Sequence, residues 1–150
     1  MDTFNVEQYR RQFPITKNHI YLDHAGVAPA SHRVRTAINA FLAESAEGAA
    51  FHYARWAQRV VEVRKRCAQL VNAGSDEIAF IRSTSHGLSL VAAGMDWLSG
   101  DNVLFCERDF PSNIFPWIHL KSKGVEARAI PSSGGLVRVE DIERAMDTRT

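Results

Sequence analysis

The chain has 150 residues, a length that suits about one domain, with 45% hydrophobic and 23% charged residues, close to a globular average. Its formal net charge is +1, and its densest basic run is only Arg64-Lys65-Arg66, read as the solvated face of a helix, so nucleic-acid binding is not expected. No apolar run approaches the ~20 residues of a membrane span, and Met1 to Phe13 lacks the apolar core of a signal peptide.

In chain order, residues 7–13 suit a short helix that Pro14 ends. Ile20-Tyr21-Leu22 is a brief apolar run, followed by a turn at Asp23-His24-Ala25-Gly26. Ser31 stands where a helix would begin; Val34, Ala37, Ile38, Phe41 and Leu42 recur at helical spacing, and Gly48 closes the stretch. A second helix carries Trp56, Val60, Val63, Cys67 and Leu70 on one face and ends at Gly74.

From residue 77 the order reads β-α-β-α-β-α. The strands fall at Ile78–Ile81, Val103–Cys106 and Val125–Ile130. The helices cover Leu88–Met95, Pro111 to about Gly124, and Val139–Met146. Nearly continuous apolar strands suit a parallel sheet covered on both faces. The fold class is therefore α/β, an incomplete, mostly parallel sheet flanked by helices. Three strands with the last helix just finished suggest a truncated chain or one that relies on a partner; the alternative is a small complete three-stranded domain.

Three segments stand out for chemistry. In Ile81-Arg82-Ser83-Thr84-Ser85-His86-Gly87 a strand runs into three hydroxyl residues at a helix start, where unpaired N–H groups favour an anion. Gly87 would let a ligand approach the backbone closely. Plain N-capping by Ser or Thr is the alternative. Glu107-Arg108-Asp109-Phe110-Pro111-Ser112-Asn113 follows the next strand; ligands bind beyond strand carboxyl ends, which makes the two loops neighbours. Phe110 could stack on a flat ring or serve as a core residue. Ala25 and Gly26 are small enough to lie against a substrate or simply to form a turn.

Other chemistries find no support in the sequence. GxGxxG, the P-loop and GxSxG are all missing. The six histidines fall in no recognised metal spacing, so no metal is expected. Two distant cysteines, Cys67 and Cys106, imply no disulfide framework, and a reducing, cytoplasmic compartment is the simplest expectation.

Taken together, Tyr21-Leu22-Asp23-His24-Ala25-Gly26, Arg82 through Ala92, and Glu107 through Trp117 resemble, in order and spacing, the aminotransferase class V enzymes that include cysteine desulfurases and kynureninases. The resemblance spans essentially the whole chain. It implies the large α/β domain of fold type I enzymes that use pyridoxal 5′-phosphate (PLP), and a homodimer acting on an amino-acid substrate. By position, Thr84 and Ser85 match the hydroxyl pair that holds the PLP phosphate. Phe110 matches the aromatic that stacks on the pyridine ring, and Ala25 and Gly26 match a loop near the substrate. The helix around Val34–Leu42 lies in a part that helps form the dimer. Residues 1–30 then form the N-terminal segment and substrate-side loop, and 31–150 the first part of the PLP-binding domain.

Two departures qualify the resemblance. Desulfurases usually carry His at the stacking position, where it can move protons, and Phe110 cannot. That argues against a standard desulfurase and toward kynureninase-like, epimerase-like or lyase-like members. His86 stands where many relatives have an acidic residue, and the sequence assigns it no role. The family's Schiff-base lysine and the Asp on the pyridine nitrogen come after the third strand, and Lys17, Lys65, Lys121 and Lys123 do not match that position. No catalytic residue is therefore assigned, and this chain is expected not to catalyse alone. The competing readings are a non-catalytic binding or dimerisation module, or a phosphate-ligand protein unrelated to PLP.

Overall fold

The computed structural model describes residues 5–150, so the first four residues of the predicted N-terminal segment lie outside the described part. The chain forms two compact units, one extending to Ile78 and the other spanning Ala79–Thr150.

The first unit is helical. Helix α1 (Val6–Arg10) starts at Asn5, whose side-chain oxygen accepts the Gln8 N–H at 3.1 Å. Pro14 ends nothing itself: it opens a single 3-10 turn, Pro14–Lys17, where its missing N–H costs no hydrogen bond. Helix α2 (His32–Gly48) has Ser31 as its cap, with Oγ accepting from Val34 N at 3.2 Å. After a 3-10 turn at Ala49–His52 comes α3 (Tyr53–Val71). Phe41 of α2 meets Trp56 of α3 at a ring-centroid distance of 5.0 Å. The Trp56 indole N–H and the Arg55 guanidinium both bond the Glu44 carboxylate, at 2.9 and 2.6 Å. Those two donors, the indole first, hold the Glu44 carboxyl below its ordinary range.

Helix α3 ends earlier than the expected Gly74. Asn72 takes the left-handed conformation at φ 55° and its N–H bonds back to the carbonyls of Ala68 and Gln69. Asn is the residue after Gly that tolerates this geometry best, so it closes the helix first. The basic run is also not uniformly solvated: Arg64 is half-buried, whereas Lys65 and Arg66 are exposed.

The second unit carries the sheet. Helix α4 (Thr84–Gly94) leads to strand β1 (Asn102–Cys106), which pairs in parallel with β2 (Glu126–Ile130), Asn102 opposite Glu126 and Cys106 opposite Ile130. The fold is α/β, but among the described residues its sheet has two strands rather than the expected three. Ile78 is extended at φ −106°, ψ 119°, yet 78–81 joins no ladder among the described residues. An apolar run supplies the propensity for a strand, but a strand exists only where a neighbour takes its backbone hydrogen bonds. For the same reason β1 and β2 are mostly half-buried rather than covered on both faces.

The helix expected over 111–124 breaks into three short pieces: a 3-10 turn at Pro111–Asn113, α5 (Phe115–Ile118) and a 3-10 stretch at His119–Lys123. Pro116 separates the first two pieces, because it lacks an N–H and its ring clashes with the carbonyl four residues back, so each proline opens its own turn. Gly124 ends the segment at φ 77°. Helix α6 (Val139–Ala145) follows a tight turn in which Ser133 and Leu136 exchange backbone bonds at 3.0 and 3.1 Å around Gly134 and Gly135, both at positive φ.

The core of this unit is Ala92, Leu120 and Val125, with Trp97, Val103 and Trp117 packed against it. The chain end is tied to the start of β1. Buried Asn102 donates from Nδ2 to Asp147 Oδ1 at 2.9 Å, its backbone N–H bonds Arg149 O, and Arg128 Nη1 meets Asp147 Oδ2 at 2.6 Å. Arg128 is the first cause of an Asp147 carboxyl held at about 2, well below its ordinary 3.8.

Candidate functional site

Two backbone turns build the site. The first is the entry to α4. Ser83 is its cap: its Oγ accepts from His86 N at 3.2 Å, and its carbonyl accepts from Gly87 N at 3.1 Å. Thr84 and Ser85 therefore occupy the first two helical positions, where the backbone N–H groups have no intrahelical acceptor. Both side chains are exposed. Of the triplet, Ser83 takes the capping role.

The second turn follows β1. Asp109 accepts the Phe110 N–H at 2.7 Å through Oδ1, and its other oxygen takes a short hydrogen bond from Asn113 Nδ2. The Asn113 N–H returns to Phe110 O at 2.8 Å. This clamp leaves the Phe110 side chain 74% exposed, which excludes a core role within this unit.

One hydrogen bond joins the two turns: Ser85 Oγ donates to Ser112 Oγ at 2.9 Å. Ser85, Phe110 and Ser112 line one open cavity of about 590 Å³, continued by Ala92, His119 and Lys123. That volume lies within the range for small-molecule sites. Its walls are largely apolar, with the hydroxyls of Ser85, Ser89 and Ser112, the His119 imidazole and the Lys123 ammonium among them.

Sequence reasoning anticipated Ser85 and Phe110 as neighbours, and the structure brings them together. Thr84 adjoins them along the chain. It missed Ser112, His119 and Lys123. Phe115, His119 and Lys123 are spaced at i, i+4 and i+8, a helical stripe legible in the sequence once that segment is read as helical. Lys123 Nζ bonds Ala93 O at 3.5 Å. Ala93 lies eight residues beyond Ser85, about 12 Å along a helix axis, so this lysine sits far from the α4 entry. A Cβ at Gly87 would meet Ile81 Cδ1 at 2.5 Å, so the glycine leaves room for that side chain.

Ala25 and Gly26 lie in the first unit. They belong to a turn in which Asp23 Oδ1 accepts from Gly26 N at 3.0 Å and Tyr21 OH donates to Val27 O at 2.6 Å. A Cβ on Gly26 would stand 2.6 Å from the Asp23 carboxylate, so a larger residue would push that side chain aside. Cys67 and Cys106 are both free. Among the described residues, no group of His, Cys, Asp or Glu could hold a metal ion, and no helix is long and apolar enough to cross a membrane.

The aminotransferase class-V family model matches residues 20–150. The chain belongs to that family. It is 34% identical over 150 residues to a probable cysteine desulfurase of Methanothermobacter thermautotrophicus, covering 97% of this chain and 38% of that protein. It is also 34% identical over 166 residues to a cysteine desulfurase of Salmonella gallinarum, covering 99% and 40%. The chain thus spans about two fifths of the length of these relatives. Among solved structures, a cysteine desulfurase from Escherichia coli superposes with a TM-score of 0.82 at 26% identity, covering 99% of this chain and 40% of that one. A cystine C–S lyase in complex with cysteine persulfide superposes with a TM-score of 0.84 at 21% identity, covering 93% and 38%, a likeness of fold.

Proposed function

We propose that this chain supplies the phosphate cradle and ring-stacking wall of a PLP-dependent lyase or transferase acting on an amino acid. The observation that carries this reading is the Ser85–Ser112 hydrogen bond, which sets the exposed hydroxyls at the α4 entry beside the exposed Phe110 ring in one cavity. The residues fit PLP in chemistry: two unpaired N–H groups and two hydroxyls suit a phosphate dianion, and an outward aromatic face suits a pyridine ring.

In this reading Thr84 donates to the phosphate oxygens, Ser85 does so once the Ser85–Ser112 bond is reversed so that Ser112 donates to Ser85, and the positive end of α4 adds to their pull. The Asp109–Asn113 clamp fixes the backbone that carries Phe110, and the ring orients the cofactor by stacking while shielding one face from water. PLP itself supplies an electron sink for bonds at the substrate Cα. Ala25 and Gly26 form the substrate-side loop, within a segment 1–30 that precedes the PLP-binding domain begun at 31–150. A cytoplasmic homodimer, with α2 at the subunit contact, completes the proposal.

The named desulfurases and the C–S lyase among its relatives favour cleavage of a bond at Cβ of a sulfur amino acid. Phe110 offers no proton, however, so a lyase, kynureninase-like or epimerase-like reaction whose protons are handled elsewhere is favoured over standard desulfuration. None of the four lysines of this chain is assigned to bond PLP.

Titration with PLP tests the reading: saturable binding that Ser85→Ala and Phe110→Ala each weaken is expected, with no lysine fixed to PLP by borohydride. Binding indifferent to both substitutions would mean that the chain is a binding or dimerisation module of another kind.

A further inference from the structure

His86 has a structural task that its sequence position did not disclose. Its ring Nδ1 lies 3.3 Å from the Arg82 backbone nitrogen, which can only donate. Nδ1 is therefore the acceptor, and the neutral ring carries its proton on Nε2. At the same turn Ser83 Oγ accepts the His86 N–H at 3.2 Å. The two hydrogen bonds brace the turn much as a capping box does, with imidazole in the place of the carboxylate and its acceptor serving the Arg82 N–H, one residue before the Ser83 cap. His86 is half-buried, while Thr84 and Ser85, both enclosed between Arg82 and His86, are exposed.

We infer that His86 is a positioning residue for the phosphate cradle, holding the Arg82 amide through Nδ1 and so fixing the turn that presents the Thr84 and Ser85 hydroxyls. This rests on the assignment of that turn to the cofactor phosphate. A neutral brace satisfies the Arg82 amide without placing a fixed negative charge beside a dianion, which an acidic residue at this position would do. The amide is occupied by the imidazole, so the phosphate is left to the N–H groups and hydroxyls of residues 84 and 85.

The test compares His86→Leu and His86→Gln in the purified chain, with PLP and with pyridoxal, which lacks the phosphate. His86→Leu should weaken PLP binding about five- to tenfold, the scale of a lost helix cap, while leaving pyridoxal binding unchanged. His86→Gln, which keeps an acceptor, should recover most of the affinity. Equal losses for both ligands would reduce His86 to a general stabiliser and overturn the inference. Ser85→Ala separates the two ideas: if it weakens PLP binding and His86→Leu does not, the inference fails and the cofactor site stands. If neither does, the cofactor assignment falls and the inference with it. Independently of any ligand, nitrogen-15 NMR should show the His86 ring as the Nε2–H tautomer; an Nδ1–H ring would overturn the brace.

Discussion

The two units solve the problem of apolar surface differently. In Ala79–Thr150, Leu120 is 2% exposed and packs with Ala92 and Val125 beneath the tryptophans, so this unit owns a core. In the helical unit the described helices bury only Ala68, and Leu70, on the predicted apolar face of α3, is 87% exposed. Amphipathic periodicity marks which face wants burial, and it says nothing of whether a partner is present. Local devices hold the helical unit: the Ser31 cap, the left-handed Asn72 and the Glu44 bridge to Trp56 and Arg55. The proposed cofactor residues sit on the unit that has a core, as expected where side chains must be held in fixed geometry.

Core truncation should give the largest effect. Leu120→Ala should cost about 2–5 kcal/mol, whereas Leu70→Ala should stay within about 0.5 kcal/mol. Urea midpoints followed by circular dichroism decide this, and equal losses would erase the contrast between the units. Removing a cap comes next: Ser31→Ala should cost about 1 kcal/mol of helical stability, read as earlier melting of the helical signal. Smaller still is the acid response of the second unit. Asp147 is depressed to about 2 from 3.8, so its contribution is fully present above 3.8 and is lost as pH falls toward 2. Asp147→Asn should flatten the stability slope in that window and leave neutral behaviour of the helical unit untouched. Phe110→Ala should be nearly silent in stability, within about 0.5 kcal/mol, because an exposed ring has little to lose on truncation.

The caps at Ser31 and Ser83 and the strands near 103–106 and 126–130 were legible because each is fixed by a few adjacent residues. That the expected strand at 78–81 would stay unpaired was not, since pairing depends on a neighbouring backbone and not on the residues of the run. Pro116 was in plain view and breaks the expected helix, yet Phe115, His119 and Lys123 still reach one cavity because short turns in series keep an approximate helical phase. For the site, the rule that ligands sit beyond strand ends anticipated the Ser85–Phe110 proximity. The brace by His86 was missed because an imidazole in place of Glu falls outside the usual capping pattern.

The central claim is that the α4 entry and Phe110 form one PLP-binding surface. Amide NMR of the chain titrated with PLP tests it most directly. The expected result is shifts concentrated at Thr84, Ser85 and Phe110 that inorganic phosphate reproduces only at Thr84 and Ser85. Shifts confined to other residues, or none at saturating PLP, would contradict it.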